Sequence, residues 1–238
     1  MAGMAAHMGR RMPGKQWPRD AGRVCGLCYD GAMATMDLEA LRQQGHDLLE
    51  RAARPLARLL MRADVTPNQV SGAAVVINVA AAGLVIEGQL VPAGIVYLCA
   101  GSLDLLDGTL ARVSGQVSAG GAFLDSTFDR ISEGVVFAAI AYLFATHGEP
   151  ANAALTVLAL LGSLLVSYTR ARAEALGSRC NVGMMTRAER VVLVALGLFF
   201  GLLAEAIYLL VALTAITVAQ RIVHTLRELG AEGRRRDA

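Results

Sequence analysis

The chain reads as an all-α integral membrane protein, a bundle of six transmembrane helices preceded by an amphipathic interfacial helix. Three observations predict this. Of its 238 residues 55% are hydrophobic and its mean hydropathy is +0.48, whereas soluble domains hold roughly 45–50% apolar residues by a similar count. Apolar stretches of about 20 residues, the length that crosses a bilayer core, follow one another with very short polar breaks. Finally, of the connectors between these stretches only alternate ones carry basic residues, and all 22 lysines and arginines of the chain except Lys15 are arginine.

Residues 1–35 scatter Gly, Arg, Met and Pro without apolar period and are expected to be a disordered tail. The basic start at Arg10, Arg11 and Lys15 is not followed by an apolar h-region, so no signal peptide is expected. Cys25 and Cys28 form a lone Cys-x-x-Cys. Without a second pair or nearby histidines it is read as incidental thiols. Residues 36–63 place leucines at 38, 41, 48, 49, 56, 59 and 60 among arginines, as an amphipathic juxtamembrane helix in the headgroup layer would. Packing of that helix on the protein's own cytoplasmic loops is the alternative, and Pro55 should bend or divide it. Thr66-Pro67-Asn68 then reads as a capped helix entry, with Thr66 or Asn68 as cap and Pro67 in the first turn.

Spans are expected near 68–86, 90–111, 119–146, 151–176, 188–203 and 205–228, within a membrane domain over 64–230, followed by a basic tail at 231–238. The connectors at Glu87–Gln89, His147–Pro150 and Ala204–Glu205 carry no lysine or arginine. Arginines populate the other side: five between Arg42 and Arg62, then Arg112, Arg179, Arg187 and Arg234–Arg236. The positive-inside rule puts both termini in the cytoplasm and makes the spans even in number. The expected location is the cell membrane, multi-pass, with no nucleic-acid partner.

Four aspartates interrupt this oily sequence: Asp104 and Asp107 before Gly108, Ala111 and Arg112, then Asp125 and Asp129 after Gly121. Asp104, Asp107, Gly108 and Ala111 fall at i, i+3, i+4 and i+7, and Gly121, Asp125 and Asp129 at i, i+4 and i+8, so each set occupies one helix face. A short connector around Ser114–Gly120 should make the two helices antiparallel neighbours whose acidic faces meet. Converging carboxylates repel unless cations sit among them, and hard oxygen donors select Mg²⁺, Mn²⁺ or Ca²⁺. Gly108 and Gly121 leave room for a helix backbone or a bulky ligand. Pairing of the acids with Arg112 and Arg130 as helix glue fails on charge, four against two. Coordination of a permeating divalent cation by a transporter fits less well, because the acids lie at the cytoplasmic helix ends and not near the midplane.

The pattern D-x2-D-G-x2-A-R-x8-G-x3-D-x3-D, filled by Asp104, Asp107, Gly108, Ala111, Arg112, Gly121, Asp125 and Asp129, resembles the signature of the CDP-alcohol phosphotransferases. The looser similarity covers residues 64 to about 229. The resemblance implies transfer of a phosphatidyl group from CDP-diacylglycerol to an alcohol with release of CMP, in phospholipid biosynthesis. It implies two divalent ions, Mg²⁺ or Mn²⁺, with Asp104, Asp107 and Asp125 as ligands and Asp129 both beside the second ion and serving as base. Gly108, Ala111, Arg112 and Gly121 would line the nucleotide site, and the enzyme would be a homodimer.

Beyond the aspartates, Ser167–Glu174 and Arg187–Arg190 resemble the phosphatidylinositol-phosphate synthase branch. There, basic residues at matching places hold the phosphate of inositol phosphate, which implies that role for Arg170, Arg172 and Arg190. Arg170 departs from the pattern, since that branch often has lysine there. Guanidinium forks suit a phosphate, but the same arginines serve equally as positive-inside anchors. The acceptor is thus expected to be inositol phosphate, with glycerol 3-phosphate as the alternative.

Overall fold

The structure, a computed structural model, describes residues 53–178, 180 and 182–236. The Cys25/Cys28 pair, the expected tail and most of the expected interfacial helix lie outside the described residues. Among the described residues all regular structure is helical. Seven helices follow in order: α1 (53–62), α2 (Pro67–Ile86), α3 (Leu90–Ser114), α4 (Ala119–Thr146), α5 (Pro150–Ala175), α6 (Arg187–Phe200) and α7 (Leu203–Arg236). The expected spans coincide with α2 to α7 to within a few residues except at the end of the chain. There α7 stays helical through Arg236, taking in most of the segment expected to be a tail.

Four of these helices are long and apolar enough to cross a membrane: α2, α3, α5 and the Leu203–Ala231 part of α7. The other two fall short for different reasons. α4 has 28 residues, about 42 Å at 1.5 Å per residue, but carries Asp125, Asp129, Arg130 and Glu133 within its first 15. α6 has 14 residues, about 21 Å, against a hydrocarbon core of about 30 Å.

Local chemistry sets where the helices next to the acids begin and end. Thr66 caps α2: its Oγ1 accepts from the Gln69 backbone N–H and the Gln69 side chain accepts from Thr66 N at 2.9 Å, with Pro67 at the first helical position. Gly115, at φ 69°, closes α3 in the left-handed conformation that a side chain would disfavour. Three residues later Ser118 opens α4, its Oγ accepting from Gly121 N at 3.0 Å. Asp107 and Asp125 therefore sit about two turns from facing helix ends.

Packing joins the helices in a ring, α2 against α4, α4 against α5, α5 against α7, α7 against α6, α6 against α3, and α3 back against α2. Tyr97, Phe137, Ile140, Val194, Leu198 and Ile207 fill its interior. The α3–α6 contact is close because Gly94 and Gly101 face α6, where an added Cβ would lie 3.3 Å from Leu198 Cβ and 3.0 Å from Val191 Cγ1. One expectation is corrected here. α3 and α4 do not pack on each other as neighbours; both lie against α2, and the acidic faces meet across a gap instead of a helix interface.

α1 lays Ala53 and Ala57 against Val70 in the first turn of α2 and Leu106 and Leu110 in the second half of α3. Arg54, Arg58 and Arg62, with Leu56 and Leu59, remain on the exposed side, and the helix continues through Pro55 to residue 62.

Candidate active site

The four aspartates face one gap but form two pairs. Asp107 and Asp125 line a cavity of about 620 Å³ between α2, α3 and α4, together with Gly108, Ala111, Arg112 and Gly121. Six of the eight signature positions thus share one cavity. Thr66, Asn68 and Ser71 close its α2 side. Gly108 opens onto the cavity, since the only atoms within 4 Å of an added Cβ would be the Arg112 guanidinium nitrogens, the nearer at 3.7 Å. Its missing side chain makes space for a ligand and not for a neighbouring helix. Asp107 is buried, and its Oδ2 accepts a 2.5 Å hydrogen bond from Ser71 Oγ.

Asp104 and Asp129 turn instead toward Arg187. Its Nη1 lies 2.5 Å from Asp104 Oδ2 and 2.7 Å from Asp129 Oδ1. Arg130 stands farther from Asp129, at 3.8 Å. Arg187 occupies the first turn of α6, which begins there because Thr186 N–H donates to the Glu189 carboxylate at 2.8 Å. A cation is disfavoured at a helix N-terminus by the backbone dipole. The two carboxylates across the gap provide the compensation.

The donor chemistry suits a divalent cation, since the four acids offer only carboxylate oxygens, and Asp104 Oδ2 is buried with the Arg187 guanidinium as its charge partner at 2.5 Å. As the side chains stand, no three acidic, histidine or cysteine groups among the described residues are close enough to hold an ion. A guanidinium lies between two of the acids, where it balances their charge.

The three arginines expected to hold an acceptor phosphate sit in different settings. Arg190 is 2% exposed and pairs side-on with Glu133, Nε to Oε1 at 2.8 Å and Nη2 to Oε2 at 3.3 Å. Ser163 Oγ also donates to Glu133 Oε1. Arg170 is exposed at the end of α5 and pairs with Glu174 at 2.9 Å. Arg172 is exposed one turn from the end of the same helix. Arg221 is buried and spans the α5–α6 connector, donating to Val182 O at 2.9 Å and to Val166 O.

Sequence reasoning passed over three members of this site. Arg187 belongs to the Arg187–Arg190 segment singled out above but receives no role there beyond positive-inside charge, although Arg187 and Arg190 stand one turn apart on a single face. Glu133 continues the four-residue step of Gly121, Asp125 and Asp129, and that continuation was a readable signal. Ser71 left no signal beyond lying one turn after Pro67.

Residues 64–223 match the family model for CDP-alcohol phosphatidyltransferase. The chain is 35% identical over 194 residues to archaetidylinositol phosphate synthase of Pyrococcus horikoshii, covering 81% of this chain and 98% of that one. It is 35% identical over 187 residues to phosphatidylinositol phosphate synthase of Mycobacteroides abscessus, covering 74% and 84%. Its fold matches the crystal structure of Mycobacterium tuberculosis phosphatidylinositol phosphate synthase with CDP-DAG bound, at TM-score 0.69 and 33% identity over 74% of this chain and 94% of that one. The same enzyme in complex with manganese and citrate matches at TM-score 0.69, over 73% and 88%. With the signature aspartates facing one gap and the family model covering most of the helical bundle, the chain belongs to the CDP-alcohol phosphatidyltransferase family, and is a transferase enzyme.

Proposed function

We propose that this enzyme transfers a phosphatidyl group from CDP-diacylglycerol to inositol phosphate, releasing CMP and forming phosphatidylinositol phosphate at the cytoplasmic face of the cell membrane. The observation that carries the reading is the cavity of about 620 Å³ lined by Asp107, Gly108, Ala111, Arg112, Gly121 and Asp125. Its lining includes the residues that the resemblance implies for the cytidine nucleotide. The relatives named above are synthases of inositol phosphate lipids, and one is solved with CDP-DAG bound. In this reading α2 to α7 are six spans, with both termini cytoplasmic and residues 64–230 as the catalytic domain, and two copies assemble as a homodimer.

Two divalent ions, Mg²⁺ or Mn²⁺, would be held by Asp104, Asp107, Asp125 and Asp129. When bound they neutralise the diphosphate and the charge that develops on departing CMP. The protein's own groups do the rest. Gly108, Ala111, Arg112 and Gly121 shape the nucleotide cavity, and Ser71 fixes the Asp107 carboxylate through its hydrogen bond. Asp129 accepts the proton of the acceptor hydroxyl as that oxygen bonds to the lipid-bearing phosphorus and the bond to CMP breaks. Arg187 balances the charge of Asp104 and Asp129, the carboxylates that would hold the ions. Arg170, Arg172 and Arg190 hold the acceptor phosphate, Arg190 oriented by Glu133.

Family membership leaves the transporter reading without support. The direct test offers the purified protein CDP-diacylglycerol with inositol phosphate, glycerol 3-phosphate or unphosphorylated inositol, and identifies the lipid product by mass. Phosphatidylinositol phosphate as the preferred product is expected. Preference for glycerol 3-phosphate would reassign the acceptor, and equal use of unphosphorylated inositol would remove the phosphate clamp.

A further inference from the structure

A second, much smaller cavity lies behind the acids, enclosed by α2, α3, α4 and α6. Its volume is about 10 Å³, and Asn78, Tyr97, Asp104, Ser132, Glu133 and Arg187 supply its polar lining. Asn78 is the informative member. It is 2% exposed, and its Nδ2 donates to Ala74 O at 2.9 Å. That bond fixes the amide, yet Oδ1 is buried and finds no donor in the protein. Asp104 lines the same cavity, its Oδ2 buried with the Arg187 guanidinium 2.5 Å away as its one partner among the described residues.

A buried acceptor without a donor costs as much as a lost hydrogen bond or more, and Asn78 Oδ1 is such an acceptor. A volume near 10 Å³ holds at most one water. One water carries two O–H groups, enough to reach Asn78 Oδ1 and the Asp104 carboxylate from the space both residues line, and its lone pairs suit the donors that Tyr97, Ser132 and Arg187 carry.

We propose that a single buried water bridges Asn78 Oδ1 to Asp104 Oδ2, making Asn78 a positioning residue for the catalytic carboxylates. Asn78 touches neither substrate nor metal; it holds the Asp104 carboxylate from behind, so that its orientation is set before an ion arrives. This rests on the reading of Asp104 as a metal ligand. Outer partners of that kind change metal affinity by roughly 10–100-fold when lost.

The test measures Mn²⁺ affinity of the purified full-length protein by electron paramagnetic resonance, with Asn78→Leu and Asn78→Ala beside wild type. Leucine keeps the branched four-heavy-atom outline of asparagine, is bulkier and offers no acceptor, so it removes the bridge. Alanine enlarges the cavity and lets a second water take the place of the amide oxygen. The water bridge predicts Mn²⁺ binding at least about 10-fold weaker in Asn78→Leu, and a smaller loss in Asn78→Ala. A packing role predicts the reverse order, with Asn78→Ala the worse variant and Asn78→Leu close to wild type, and that outcome overturns the proposal. Thermal melting of each variant confirms folding, and if Asn78→Leu does not fold, Asn78→Ala is compared with Asn78→Val, where the bridge again predicts the apolar, bulkier side chain to bind Mn²⁺ less well. Asp104→Asn separates the two failures. Unchanged affinity in that variant overturns the metal assignment, whereas loss there with unchanged affinity in Asn78→Leu overturns the water bridge alone.

Discussion

Arg187 stands 2.5 Å from Asp104, between helices that come from distant parts of the chain. The same nitrogen reaches Asp129 at 2.7 Å, so one guanidinium balances an acid on α3 and an acid on α4 at once. A divalent cation and this arginine then compete for the same carboxylates, and their competition can be read in stability. Arg187→Ala should lose about 2 kcal/mol when the protein is held in chelator, less than the 3–5 of a fully buried pair because the partners are partly exposed. Added Mg²⁺ should recover most of that loss. The measurement is thermal unfolding of wild type and variant with and without Mg²⁺; equal melting temperatures in chelator would show that Arg187 carries no such charge balance.

Asp129 is assigned to proton removal as well as to the second ion. Asp129→Asn should reduce kcat by at least about 10²-fold, while binding of the CDP-lipid weakens less. Stopped-assay turnover and a separate binding titration distinguish the two effects. If both fall together, Asp129 acts mainly as a ligand and the base is another group.

Gly108 offers a cleaner probe of the nucleotide cavity. Nothing but the Arg112 guanidinium lies within 4 Å of where a Cβ would stand, so Gly108→Leu should fold with unchanged or slightly raised stability, because glycine is about 1 kcal/mol worse than alanine or leucine inside a helix. The new side chain enters the cavity. The KM for CDP-diacylglycerol should rise at least about 10-fold with the acceptor KM little altered, and an unchanged donor KM would put the nucleotide elsewhere.

The acceptor arginines need different handling, because Arg190 is buried against Glu133 and Arg172 is exposed. Arg190→Ala leaves a carboxylate buried without a partner and should cost about 3–5 kcal/mol of stability whatever its role in binding. Arg172→Ala carries no such penalty. It should raise the KM for inositol phosphate by roughly 10-fold or more, as loss of a charge-assisted contact of about 1.5–3 kcal/mol does, with the donor KM unchanged. No change in acceptor KM would return Arg172 to the role of helix anchor.

Much of the bundle was legible in the sequence because membrane helices announce themselves through length, apolar content and arginine placement. The start of α2 could be read almost to the residue, since Thr66-Pro67 is a local signal that tertiary packing does not override, whereas the Ser118 cap of α4 is seen only in the structure. The relation of α3 to α4 was not legible. A short connector implied contact, but a cavity large enough for a nucleotide had to open between them, and α2 serves as the common wall. Arg187 was hidden for a related reason. Its charge is ordinary for a cytoplasmic helix start, and only the ring of packed helices brings α6 opposite Asp104 and Asp129. Asn78 carried no sequence signal, because a single polar residue in an apolar helix does not reveal what faces it.

The central claim is that the aspartate cluster drives transfer of a phosphatidyl group with CMP as the other product. It is tested most directly by counting both products from one reaction of purified protein with CDP-diacylglycerol, inositol phosphate and Mn²⁺, for wild type and for folded Asp104→Asn, Asp107→Asn and Asp125→Asn. One CMP per phosphatidylinositol phosphate is expected in wild type, none of either in chelator, and a loss of at least about 10²-fold in each variant. Near wild-type product from any one of the three variants, or CMP release without a new lipid, would contradict the account.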